Sequence, residues 1–125
     1  MRFSLLFLLV SSLASSAITD VILTDSGELR ITPIHHGSVM LEIREKVWHV
    51  DPWSRGNNYS VLPKADVILI TDIHADHMDP NAIKAISKPS TVIVAPIAVA
   101  KTITRARIIS NGETIVVNGI KVEAI

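Results

Sequence analysis

The chain has no cysteine among its 125 residues, which excludes disulfide bonds and thiolate metal ligands. Any metal it holds must sit on histidine, carboxylate and water. Neither charge is in excess: 12 lysines and arginines stand against 12 aspartates and glutamates. Net charge therefore gives no reason to expect a nucleic-acid or anionic-membrane partner, and a small-molecule substrate stays open. There is no low-complexity tract and no internal repeat. No apolar run is long enough to cross ~30 Å of hydrocarbon as a helix, which argues against a stable membrane anchor. What is present is a 48% apolar, 19% charged composition, suited to a packed domain rather than a disordered chain.

The first 17 residues read as a signal peptide. Arg2 supplies one positive charge, Phe3 to Val10 an apolar run, and Ser11 to Ala17 the small residues that precede cleavage. Cleavage after Ala17 implies secretion to an extracellular or periplasmic space. Residues 18–27 read as an N-terminal linker and residues 28–125 as a single domain of ordinary size.

From Glu28 onward, short runs rich in isoleucine and valine alternate with glycine, proline, asparagine and aspartate, the pattern of strands and turns. Strands are predicted over Leu29–Ile34, Ser38–Arg44 and Lys46–Val50, the last ending at Asp51-Pro52 because proline removes a ladder donor. Ser54–Lys64 reads as a surface loop with one helical turn at its end. Asp66–Ile70 is a short continuous apolar run, predicted as a strand buried on both faces. Asp79 is the expected N-cap of a helix with Pro80 at its first position, ending before Pro89. A strand over Thr91–Ala95 and a short helix over Pro96–Thr102 follow. The remaining strands are predicted around Arg107–Ile109, Glu113–Val117 and Ile120–Ile125, with Asn118-Gly119 as a hairpin turn.

Chemistry concentrates in Thr71-Asp72-Ile73-His74-Ala75-Asp76-His77-Met78-Asp79, directly after the buried strand. Imidazole nitrogen and carboxylate oxygen each bind a divalent ion at about 2.0–2.2 Å, so Asp72, His74 and Asp76 could converge on one if the loop curls, with His77 facing a second position. Turn and cap chemistry accounts for Asp79, but not for two histidines interleaved with two further aspartates. An EF-hand is excluded, because the loop has neither the central glycine nor the distant glutamate.

This cluster is similar to the H-x-H-x-D-H signature of the metallo-β-lactamase superfamily, which also lies between a buried strand and a helix. His74, Asp76 and His77 match it, while Asp72 stands where the signature has histidine, which makes the first metal position harder. Ile34-His35-His36-Gly37-Ser38-Val39-Met40-Leu41 resembles the family's opening hairpin, and Val47-Trp48-His49-Val50-Asp51-Pro52 its next strand. The nearest branch by resemblance is the ascorbate-phosphate lactonase-like hydrolases, on the helix after the signature and the Asn111-Gly112-Glu113-Thr114 turn.

The resemblance implies an α/β fold: the N-terminal half of an αββα sandwich, with a mostly mixed or antiparallel sheet and short helices. It implies up to two divalent ions, zinc first with manganese or iron as alternatives, Asp72 and His74 serving one position and Asp76 and His77 the other. The reaction implied is attack by a metal-bound hydroxide on a small-molecule ester, lactone, phosphoester or amide, with Asp76 orienting the water. The family adds a further histidine, a bridging aspartate and a last histidine from later strands, and the chain has no histidine after His77. The expectation is therefore a domain truncated at its C-terminus. A different class competes: a secreted metal-binding or non-catalytic module that self-associates through open sheet edges.

Outside the cluster, His36 is a candidate for lining the pocket, and a plain turn residue is an equal reading for it and for His35. Asp51 is a second pocket candidate, equally explained as a turn aspartate before proline. His49 reads as structural, Trp48 and Trp53 as packing residues. Ser38 has no base with its own orienting partner and is not expected to act as a nucleophile.

Overall fold

The computed structural model describes residues 18–125; the proposed leader, residues 1–17, lies outside the described residues. The strands are β1 (Asp20–Thr24), β2 (Gly27–His35), β3 (Ser38–Ile43), β4 (Lys46–Val50), β5 (Val67–Leu69), β6 (Val92–Ala95), β7 (Arg107–Ile108), β8 (Thr114–Val117) and β9 (Ile120–Glu123). Two helices, α1 (Pro80–Ile86) and α2 (Ile97–Ala100), follow β5 and β6 respectively, and a 3-10 turn covers Tyr59–Val61.

β1 to β7 form one sheet in sequence order. The first half is an antiparallel meander, β1 to β4, and the second half, β4 to β7, is parallel. The change of direction has a local cause. Two-residue turns connect β1 to β4, which only antiparallel neighbours allow, whereas the long connections after β4 and β5 return the chain to the same sheet end. This is the mixed α/β sheet with short helices expected of the sandwich half.

The continuous apolar run at β5 is covered on both faces, as its composition requires. Ile68, Ile70, Ile93 and Ala95 pack on one face against Ala82, Ile83 and Ile86 of α1, Val99 of α2 and Tyr59. Val67 and Val94, pointing the other way, pack with Trp48, Ile109 and Val117, so the β8–β9 hairpin covers the opposite face. Trp48 is the packing residue expected of it, and buried His49 is structural, its Nε2 3.0 Å from the Pro63 carbonyl oxygen. Burial pushes the His49 imidazole below its ordinary range, and the Pro63 carbonyl offsets part of that.

Helix α1 begins as its sequence dictates. Asp79 Oδ1 accepts from Asn81 N at 2.8 Å, Pro80 sits in the first turn, and the Ser87 N–H closes the C-terminus on the Ile83 carbonyl before Pro89. Asn118 and Gly119 turn the β8–β9 hairpin with φ of 48° and 77°, the left-handed pair that Asn-Gly favours.

Two expectations change. Residues 18–27, read as linker, contain β1, paired with β2 from Asp20↔Ile31 to Thr24↔Gly27. Val21-Ile22-Leu23 is good strand sequence, but every residue of β1 is exposed, so no core-facing alternation marked it. α2 is also shorter than the predicted Pro96–Thr102: Pro96 has no N–H and serves as the N-cap, and past Ala100 the chain tightens into a turn in which the Thr102 N–H bonds the Val99 carbonyl. Among the described residues no helix is long and apolar enough to cross a membrane.

Candidate metal site

Because β4 and β5 are parallel neighbours, their C-terminal ends lie side by side, and the segments that leave them meet at one end of the sheet. The residue after β4 is Asp51; the loop after β5 starts at Thr71. Such strand ends are where open sheets present ligand sites.

Asp51 is buried, in a left-handed backbone conformation with φ of 45°, and its N–H donates to the Leu69 carbonyl at 2.9 Å. Its carboxylate is fully used. Oδ1 accepts from the Thr71 N–H at 2.7 Å; Oδ2 accepts from Thr71 Oγ1 at 2.5 Å and from His77 Nδ1 at 2.9 Å. A carboxylate can only accept, so the Nδ1 of His77 carries a proton, and in the neutral ring Nε2 presents a lone pair. The Asp51 carboxylate also holds the His77 imidazole above its ordinary pKa.

The loop curls through backbone bonds from His77 N and Met78 N to the His74 carbonyl, both 2.9 Å. Its far end is anchored at Asp79, whose Oδ2 accepts from Ser54 N at 2.8 Å and from the Ser54 hydroxyl. Burial pushes the Asp79 carboxyl up, and these bonds, with those from Asn81 and Ala82, more than reverse it.

Within the curl the expected ligands form pairs. Asp72 Oδ2 lies 3.0 Å from His74 Nδ1, and Asp76 Oδ2 lies 3.8 Å from His77 Nε2. The His74 ring holds the Asp72 carboxyl below the usual carboxylate range. Two donors about 2.0–2.2 Å from one ion, at the angles of ordinary coordination, lie about 3–3.5 Å apart. The first pair fits that separation and the second is slightly wider. Side-chain exposure separates the pairs: 47% for Asp72 and 74% for His74, against 34% for Asp76 and 29% for His77.

Among the described residues no three histidine, aspartate or glutamate side chains converge in metal-holding geometry. The four ligand candidates therefore do not form one cluster. The residues present fit a metal in donor chemistry and in the orientation of His77, as two separate pairs of donors.

His36, on the β2–β3 turn, comes within 3.3 Å of Asp76 through Nε2. His35 does not reach the loop; it stacks on Trp53 at 5.4 Å. Trp53, read from sequence as a packing residue, belongs to neither core cluster and instead carries His35, His36 and, at 5.7 Å, the Arg55 guanidinium. Ser38 is buried and its hydroxyl donates to the Asp51 carbonyl at 2.5 Å, a structural use. The sequence reading missed Ser54 and Thr71. Thr71 meets Asp51 because β4 and β5 pair in parallel, which no local sequence pattern shows.

The family profile for the beta-lactamase superfamily domain matches residues 30–125. The chain belongs to that family. This beta-lactamase superfamily domain is 32% identical over 103 residues to a UPF0173 metal-dependent hydrolase of Korarchaeum cryptofilum, covering 75% of the chain and 46% of the relative. A second relative of the same name, from a Geobacillus species, is 32% identical over 76 residues, covering 58% of the chain and 33% of the relative. A solved structure from Parabacteroides distasonis, provisionally named a metal-dependent hydrolase, matches with a TM-score of 0.76 and 43% identity over 79% of the chain and 46% of its own. The chain thus spans less than half the length of these relatives.

Proposed function

We propose that this beta-lactamase superfamily domain supplies the first ligand loop of a divalent-metal hydrolase acting on a small-molecule ester, lactone, phosphoester or amide. One observation carries the reading: four ligand-type side chains on a loop at the ends of parallel strands, with His77 oriented by a buried carboxylate. That arrangement is the usual outer support of a metal-ligating histidine. The names of the relatives point the same way.

Asp72 and His74 would hold one ion and Asp76 and His77 another, with zinc the first candidate and manganese or iron the alternatives. When bound, a divalent ion lowers the pKa of water and polarises the bond under attack. The chain's own residues prepare that chemistry. Asp51 keeps the His77 proton on Nδ1, Asp76 offers a carboxylate to accept and orient a proton of the attacking water, and Asp79 with Ser54 fixes the end of the loop.

Secretion rests on the leader-like residues 1–17, and sequencing the N-terminus of the mature protein would then begin at Ile18. A non-catalytic reading has one observation in its favour: β1 is a fully exposed edge strand bearing Val21, Ile22 and Leu23, suited to pairing with a second copy.

The deciding experiment measures metal content and metal-dependent protection against unfolding for the chain and for Asp72→Ala, His74→Ala and His77→Ala. It is paired with hydrolysis of 4-nitrophenyl acetate and 4-nitrophenyl phosphate. Stoichiometric metal lost in the variants, with turnover of either ester, supports the hydrolase. Metal without turnover favours the non-catalytic module, and no metal above background overturns both metal readings.

A further inference from the structure

The β2–β3 turn is built more elaborately than a chain reversal needs. The register shifts between Pro33 and His35, His36 takes a left-handed conformation with φ of 55°, and the Ser38 hydroxyl ties the turn to the Asp51 carbonyl. Bulges of this kind re-aim side chains, and histidine is one of the few non-glycine residues that tolerate this backbone region.

What the ring meets is the metal loop. His36 Nε2 lies 3.3 Å from Asp76 Oδ2, the same oxygen that His77 Nε2 faces from 3.8 Å. Trp53 packs against the His36 ring at 5.5 Å, and Trp53 itself stacks on His35 at 5.4 Å and has the Arg55 guanidinium 5.7 Å from its ring. Trp53 contributes to neither core cluster, so its packing serves this corner of the molecule.

We propose that His36 is a positioning residue for Asp76: from the β2–β3 turn, buttressed by Trp53, it fixes the carboxylate that serves the second metal position. The inference rests on the metal-hydrolase reading. Asp76 sits on an irregular loop and is one-third exposed, so without a neighbour its side chain is free to sample several rotamers. An imidazole on one oxygen restricts it before an ion arrives, as outer partners of metal ligands do. His36 is not itself assigned as a ligand, because it does not combine with Asp76 and His77 into a metal-holding group.

The test is cobalt(II) binding by the full chain, followed by calorimetry and the visible spectrum, with Asp76→Ala defining the signal that belongs to the second position. His36→Asn keeps a residue tolerant of positive φ but is too short to reach; His36→Gln restores an amide donor at similar length. Lys121→Gln, an exposed change on the β8–β9 hairpin whose ion pair is to Glu123, is the control. Expected is a loss of ~10-fold or more in cobalt affinity for His36→Asn at an unchanged urea midpoint of the metal-free chain, recovered largely by His36→Gln and absent in Lys121→Gln.

Parent-like affinity in His36→Asn overturns the proposal, as does a His36→Gln variant no better than His36→Asn. If the parent itself binds no cobalt and equals Asp76→Ala, the hydrolase reading falls and takes this one with it.

Discussion

Replacing Asp51 by asparagine separates what this residue does for the fold from what it does for the site. Asparagine fits the same space and tolerates the positive φ at this position. Its orientation is dictated by the Thr71 N–H, which needs an acceptor where Oδ1 now stands at 2.7 Å. The amide nitrogen must then take the place of Oδ2, facing Thr71 Oγ1 and His77 Nδ1. The threonine hydroxyl rotates and accepts. The imidazole accommodates a donor only by moving its proton from Nδ1 to Nε2, which occupies the nitrogen that the proposed metal position would use. Stability falls by the difference between a charged and a neutral acceptor, about 2 kcal/mol, read as a shift of the urea midpoint in the metal-free chain. Zinc affinity falls by ~10–100-fold, read by competition with a chromophoric chelator. Destabilisation with parent-like zinc affinity would refute the reasoning, because it would mean that the Nε2 lone pair of His77 is not what the metal uses.

Three further outcomes follow from the packing and the buried charges. Ile68 is fully buried against the helical side of the sheet, so Ile68→Ala costs about 3 kcal/mol in urea unfolding, whereas the same change at half-exposed Ile73 costs under ~0.5 kcal/mol. Burial lowers the His49 pKa from 6.5, so the unfolded chain takes up a proton that the folded chain refuses; stability is full above 6.5 and declines as pH falls below it. His49→Gln removes that decline, and an unchanged slope of urea midpoint against pH below 6.5 would contradict it. Asp66 accepts from Lys88 Nζ at 2.8 Å and from the Val47 N–H at 2.9 Å, with Lys46 at 3.6 Å, and its carboxyl is held below 3.8, chiefly by the Lys88 bond. Its contribution is present above 3.8 and is lost as pH falls through the folded-state value. Asp66→Asn lowers stability at neutral pH by about 1 kcal/mol, since the pair is partly solvated, and flattens the acid limb measured by circular dichroism.

Much of the fold was legible because local chemistry and tertiary packing agree. Asp79-Pro80 starts α1 and Asn118-Gly119 turns β8 into β9, since caps and tight turns are set by residues a few positions apart. β1 was not legible: its hydrogen bonds to β2 hold it in place, and none of its residues faces the core.

The sequence by itself determined the chemistry available: no thiolate, and two histidines and two aspartates alternating in one loop after an apolar strand, a pattern local enough to be read without coordinates. The tertiary structure decided which of those groups meet. Asp51 and His77 are 26 positions apart and His36 and Asp76 are 40 apart, yet the first pair is joined by parallel β4 and β5, and the second by a bulged turn at the same end of the sheet. A contact between residues so distant in sequence depends on strand order and register, which cooperative packing of the whole sheet fixes and no local pattern encodes.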